Sequence, residues 1–208
     1  MEFKNNHDFI TLFENRLSDF TGAPYVVTVN SNTSAVLLSM ICLEKFGQIT
    51  SNVVGLPCQT YISVPQVLRH LGYYITLEPI EWSEKYNIKG TNIWDCAVGF
   101  KRNMYEIGTI QCLSFQQKKC IGVGQGGAIL LDNKDMYDYL KRISWDGRDA
   151  SVPTKDDLKN IIIDSFHMYL SPDNCVKGVL LLNQLDDDGI NRNLRTYSDY
   201  PDLCEVDW

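Results

Sequence analysis

Ser114-Phe115-Gln116-Gln117-Lys118-Lys119-Cys120 runs into Gly122-Val123-Gly124-Gln125-Gly126-Gly127, and the rest of the chain is arranged around this segment. An apolar run, Ile110 to Phe115, precedes the lysines, and a second, Ala128 to Leu131, follows the glycines. Both runs have the length and composition of buried strands. The lysines therefore sit in the connection between two core strands. Burial disfavours the charged form of a lysine, which lowers its pKa and makes the amine a usable nucleophile. One of the two is thus a candidate Schiff-base lysine for a carbonyl cofactor. The alternative reading is a surface hairpin with two solvated lysines, since lysine is mostly an exposed residue.

Upstream, Asp8 to Phe20 places Phe9, Ile10, Leu12, Phe13, Leu17 and Phe20 at helical spacing, and Thr21-Gly22-Ala23-Pro24 ends the helix. Tyr25-Val26-Val27-Thr28-Val29 reads as a strand, Asn30 to Ser34 as a small polar turn, and Ala35 to Phe46 as an apolar helix. A polar turn at a helix N-terminus gathers free N–H groups and hydroxyls and suits an anion such as phosphate. Plain N-capping by Ser31 or Thr33 is the alternative there. Strands at 52–56 and 73–77 flank a helix from Ser63 to Leu71. Residues 78–90 read as polar and irregular, Thr91 to Trp94 as a brief strand ending at Asp95, and 101–108 as a loop. Helices are expected over Asp135 to Ile143 and within Phe166 to Leu185, with a polar stretch at 149–160 between them. Strand and helix in alternation predict an α/β fold: a mixed, mostly parallel sheet flanked by helices. Ligands in such sheets collect at the carboxyl ends of strands. The Asn30–Thr33 turn, Asp95 and the Ser114–Lys119 segment all fall at such ends.

At 208 residues the chain can bury a sizeable core. A net charge of -7 argues against nucleic acid and anionic membrane as partners. Seven cysteines, an odd number with no C-x-x-C pair, read as reduced thiols in a cytoplasmic protein, forming neither a disulfide framework nor a metal site. The first residues lack the apolar core of a signal peptide, and no apolar run reaches the length of a membrane span.

Taken in order, Val29-Asn30-Ser31-Asn32-Thr33-Ser34-Ala35, Pro57-Cys58-Gln59-Thr60-Tyr61, Asp95-Cys96-Ala97 and Ser114-Phe115 … Lys119 … Gly124-Gln125-Gly126-Gly127 resemble the DegT/DnrJ/EryC1 family. These are pyridoxal-phosphate enzymes of fold type I, mostly nucleotide-sugar aminotransferases. The resemblance runs from about Phe13 to Leu185. It implies a large cofactor-binding domain over 1–185, abridged, and a short tail at 186–208 where the family's small domain is largely absent.

By resemblance, Lys119 is the lysine that binds the cofactor covalently, and Lys118 stands where the family usually has threonine. Asp95 matches the acid that pairs with the pyridine nitrogen and keeps the ring an electron sink. Tyr61 matches the aromatic residue stacked on the ring, and Asn32, Thr33 and Ser114 match phosphate-binding positions. Asn32 replaces a glycine, and asparagine tolerates the left-handed backbone expected of such a turn. Implied with these are pyridoxal 5'-phosphate, amino-acid and nucleotide-sugar substrates, and a homodimer. The chain departs from the family pattern at Val98, where a polar side chain usually touches the cofactor, and near Leu170, where an asparagine reaches the neighbouring subunit. The family also has one more strand and helix between Leu77 and Trp94. The retained lysine speaks against the family's dehydratase branch, which carries histidine there.

Overall fold

The computed structural model describes residues 7–185 and 195–206. Its sheet is built on strands whose alternate side chains enter two different cores. In β1 (Tyr25–Val29), Val27 and Val29 face one core and Val26 the other; in β7 (Gly127–Leu131), Ile129 and Leu131 face the first and Ala128 and Leu130 the second. A strand buried on both faces needs helices on both sides. The first core is closed by α2 (Asn32–Lys45), α3 (Ser63–His70) and α4 (Lys134–Ile143), through Leu38, Met40, Leu68 and Leu140. The second is closed by α1 (His7–Thr21) and α6 (Pro172–Leu182), through Phe13, Leu17 and Cys175.

Five strands run in the order β1-β7-β6-β5-β4, where β6 is Ile110–Ser114, β5 is Ile93–Asp95 and β4 is Tyr86–Asn87. A parallel pair, β2 (Val53–Pro57) and β3 (Tyr74–Glu78), joins them at one antiparallel bridge between Gly55 and Lys89. There Gly55 and Lys89 exchange N–H···O bonds of 3.1 and 2.9 Å. Following the pairings across the sheet, β1, β2, β3, β5 and β6 run one way, and β7 and β4 run against them. The expected mixed, mostly parallel sheet is therefore present. Between Leu77 and Trp94, where the family has a further strand and helix, the short antiparallel β4 fills the gap between β5 and β2.

Local boundaries differ from the sequence reading in three places. α2 begins at Asn32, not Ala35, because Ser31 caps it by accepting from the Ser34 N–H. The stretch 78–90, expected to be irregular, contains β4, whose Tyr86 is buried, as is Ile88 just beyond it, while Asn87 between them is less so. The polar stretch 149–160 contains a short helix, α5 (Thr154–Asp157), held by Asp157, which accepts from the Asp149 N–H and pairs with Arg142.

Two polar groups tie the α1 face to the sheet. Glu14 on α1 is buried; its Oε1 accepts from Thr28 N and Oγ1 at 2.9 and 3.0 Å, and Lys141 of α4 neutralises it at 2.8 Å. α6 lies so close to α1 that a Cβ on Gly178 would stand 2.4 Å from Cζ of Phe13. Replacing a mid-helix glycine by alanine ordinarily gains about 1 kcal/mol of helix propensity. Phe13 is fully buried against Phe115 and has nowhere to move. Gly178→Ala is therefore expected to destabilise the fold by about 1–3 kcal/mol through overpacking, read as a lower urea midpoint at unchanged slope.

Candidate functional site

Because β1, β5 and β6 run the same way, their carboxyl ends lie along one edge, and the residues just past them line one cavity of about 390 Å³. Ser31, Asn32 and Thr33 come from the turn after β1, Asp95 from the end of β5, and Ser114 and Lys119 from the end of β6 and the connection beyond it. Tyr61 lines the same space from the segment between β2 and α3. All six residues singled out in the sequence thus meet at one place.

The connection from Phe115 to Gly126 that carries the lysines is pinned rather than loose. Phe115 N donates to Gly126 O, Val123 N to Phe115 O, and Gln117 N to Gly124 O. Gly124 has φ +116, which L side chains rarely adopt, and a Cβ on Gly122 would meet Gln117 O at 2.5 Å. The pinned turn separates the two lysines: Lys118 is exposed on the rim, while Lys119 is half-buried.

Asp95 is 5% exposed, yet it is satisfied. Its Oδ1 accepts from the Ala97 N–H at 2.9 Å and from Asn32 Nδ2 at 3.3 Å; its Oδ2 accepts from the Tyr86 hydroxyl at 2.8 Å. Burial nevertheless pushes its carboxyl above the usual range, against these three bonds and the pull of Lys119. Lys119 shifts the other way. Burial lowers its pKa and Arg195 lowers it further, while Asp95 holds it up. The pair is therefore an acid and an amine, each disfavoured as an ion by burial and favoured by the other. Such opposed shifts in one cavity mark a functional-site candidate.

One side of the cavity is the first turn of α2, a 14-residue helix whose N-terminal N–H groups have no intrahelical partners and so suit an anion. Here the structure corrects the role expected of the Asn32 backbone. Among the described non-glycine residues, only Glu84, Asn103, Asp146 and Asp164 have positive φ. Asn32 instead opens the helix, and its side chain turns to Asp95 and to Cys112 O, at 3.3 and 3.0 Å. Close packing below replaces the need for a left-handed turn: a Cβ on Gly127 would lie 2.7 Å from Asn32 N. The Thr33 hydroxyl bonds to that of Ser63 at 2.6 Å, and Ser114 Oγ accepts weakly from Gln116 N at 3.4 Å.

Tyr61 is 61% exposed, so its ring is an open wall that a flat ligand would cover. Val98 is buried and contributes an apolar wall. Leu170 is buried beneath Gly126, where a Cβ would meet its Cδ1 at 2.8 Å.

Four contributors escaped the sequence reading: Tyr86, Thr60, Arg195 and Tyr200. Thr60 hydrogen-bonds Tyr86, which in turn donates to Asp95. Arg195 and Tyr200 come from the described part of the tail. That part lies on the main body through bridges Ser83–Thr196 and Gln59–Asp202 and a tilted ring contact of Trp82 with Tyr200 at 5.5 Å. The alternation of Tyr86-Asn87-Ile88 was the available signal for Tyr86; nothing local marks the tail residues.

Burial and Asp95 hold the Tyr86 hydroxyl well above its ordinary pKa, so it remains a donor. Tyr86→Phe removes that donor and pushes the Asp95 carboxyl further up. The folded state then loses stability where Asp95 is ionised and recovers it as pH falls and the carboxyl protonates. Urea unfolding should show a loss of about 1–3 kcal/mol at neutral pH that shrinks in acid.

Comparisons with known proteins bear on the family and the fold. The profile of the DegT/DnrJ/EryC1/StrS aminotransferase family matches residues 2–95 and 93–187. No curated protein matches in sequence. Among solved structures, a sugar aminotransferase from Micromonospora echinospora superimposes with a TM-score of 0.68 at 16% identity over 85% of this chain and 60% of that one. GDP-4-keto-6-deoxymannose-3-dehydratase gives 0.67 at 16% over 86% and 61%, and 3-amino-5-hydroxybenzoic acid synthase 0.68 at 18% over 86% and 56%. The chain thus spans less than two thirds of the length of these solved relatives, and at such identities the likeness establishes the fold: the large domain of the fold type I transferases. Among the described residues no helix is long and apolar enough to cross a membrane. With its sequence matched nearly end to end, the chain belongs to the DegT/DnrJ/EryC1/StrS aminotransferase family.

Proposed function

We propose that this chain carries the cofactor site of a pyridoxal 5'-phosphate-dependent aminotransferase. It would move an amino group from an amino acid, glutamate by family likeness, to a keto sugar linked to a nucleotide, in amino-sugar and surface-polysaccharide biosynthesis in the cytoplasm. The observation that carries the reading is the convergence of a buried acid, Asp95, and a half-buried amine, Lys119, on one cavity that also receives the N-terminus of α2. That donor set fits pyridoxal phosphate: cationic and N–H groups for a phosphate, an acid for a ring nitrogen, an amine for an aldehyde. When bound, the cofactor supplies an electrophilic aldehyde carbon and a ring that withdraws electrons from the substrate carbon.

Each residue then has a defined task. The first-turn N–H groups of α2, with the hydroxyls of Thr33 and Ser114, hold the phosphate. Asp95 would accept from a ring nitrogen, and such a positive partner would stabilise its ionised form against the burial that raises its pKa. Asn32 and Tyr86 orient its two oxygens. Tyr61 covers one ring face and excludes water from it. Lys119 Nζ, whose lowered pKa raises the neutral fraction, would hold the cofactor through its aldehyde and, once freed, would serve as the base that moves the proton of the substrate carbon. Lysine rather than histidine at this position favours amine transfer over the dehydratase chemistry named for one structural relative. A homodimer is part of the proposal, since family sites lie between subunits.

A second reading, a ligand-binding or partner-dependent protein without turnover of its own, is favoured by Val98, an apolar side chain in the cavity wall where the family has a polar contact. Absorbance separates the readings at the first step. Protein mixed with pyridoxal phosphate should show a visible-range band, fixed by borohydride onto Lys119 in peptide mass spectra. The band should vanish in Lys119→Ala and persist in Lys118→Ala. Absence of any band in the wild type would end the cofactor proposal; a band without amine transfer from glutamate would favour the second reading.

A further inference from the structure

The described part of the tail meets the body at a pair of cysteines that the site does not use. Cys58 follows β2, two residues before Thr60 and three before Tyr61; Cys204 lies four residues beyond Tyr200. The backbones are already paired, with Leu203 N donating to Cys58 O at 2.8 Å and Gln59 bridged to Asp202. Leu203 is 1% exposed and anchors the turn. The two sulfurs stand 2.7 Å apart, inside van der Waals contact. Asp202 brings a carboxylate to the same cluster, and the three groups together have the makings of a metal site. The spacing argues otherwise: tetrahedral ligands at a Zn–S bond of about 2.3 Å hold their sulfurs about 3.8 Å apart, whereas a disulfide bond is about 2.05 Å.

We propose that Cys58 and Cys204 form a reversible disulfide that fastens the 195–206 segment across the cavity, fixing Arg195 and Tyr200 in its wall. The oxidant is a small linear disulfide of two monothiols, of the glutathione class. The exposed Cys204 thiolate attacks one of its sulfurs and releases one thiol; Cys58 then attacks Cys204 Sγ and releases the second. The two protein thiols lose two electrons and two protons, which the reagent's two sulfurs take up as thiols. Cys58 and Asp202 hold the Cys204 thiol up to about 12, so the exchange is slow at neutral pH and quickens as pH rises. The bond needs no cofactor, so its test stands apart from that of the enzymatic reading.

The experiment equilibrates the full chain with mixtures of reduced and oxidised glutathione, alkylates what remains free, and reads peptides by mass. The result expected is a linked Cys58–Cys204 peptide, with alkylation lost at both positions at one common midpoint. Hydrogen exchange over 195–206 should slow in the oxidised chain, and Cys204→Ser should abolish that slowing. Separate glutathione adducts on the two cysteines without a linked peptide would overturn the proposal. So would a linked peptide with unchanged exchange over 195–206. One zinc ion per chain shielding both thiols in the reduced protein would overturn it as well, in favour of a metal site.

Discussion

The structure depends on holding one carboxyl group, that of Asp95, out of water at the end of a three-residue strand. Removing a carboxylate from water is costly unless its oxygens are bonded, and here three donors from three different segments reach it. Asn32 brings the N-terminus of α2 to it, Tyr86 brings β4, and Ala97 brings the chain directly beyond β5. The acid therefore positions the helix N-terminus suited to a phosphate as well as facing the amine of Lys119. Each group that would touch the cofactor is placed by an interaction with this one centre or with the pinned turn opposite.

This arrangement explains how a shortened family member keeps its cavity. The strand and helix missing between β3 and β5 would leave the middle of the sheet open. β4 closes it with two residues, and its Tyr86 becomes the donor to Asp95. On the side of the tail, the cavity is walled by Trp82, Tyr200 and Arg195. Trp82 stitches that wall together, its ring tilted against those of Tyr86 and Tyr200 and its Nε1 donating to Gln59 O at 2.8 Å. Local abridgement has thus been met by short, aromatic substitutes.

Much of this was legible in the sequence because the deciding signals are local. The apolar runs around Lys119 are strands whose two faces both need cover, and in β1 the valines Val26, Val27 and Val29 are all buried and divided between the two cores. Asp95 and Lys119 could be placed at strand ends because the strands themselves were plain. What could not be read depends on contacts distant in sequence. Nothing near Arg195 or Tyr200 says that the chain returns to the cavity; that contact is made against Cys58, Gln59 and Trp82, more than a hundred residues earlier. Asn32 was misjudged for the same reason. Its side chain answers to Asp95, and its backbone to a glycine at 127 that packs against it, so the turn needs no left-handed residue. Tyr86 lay in a stretch whose polar composition concealed a two-residue strand.

The central claim is that Asp95 and Lys119 line one cavity and each favours the other's charged form. The most direct test follows the ¹³C-methylated amine of Lys119 by NMR through a pH titration, in the wild type and in Asp95→Asn. The account predicts a midpoint below that of an ordinary lysine in the wild type and a lower one still in Asp95→Asn, because the carboxylate that holds the amine charged is gone. A Lys119 that titrates like an ordinary solvent-exposed lysine, and does not respond to the loss of the Asp95 charge, would contradict it.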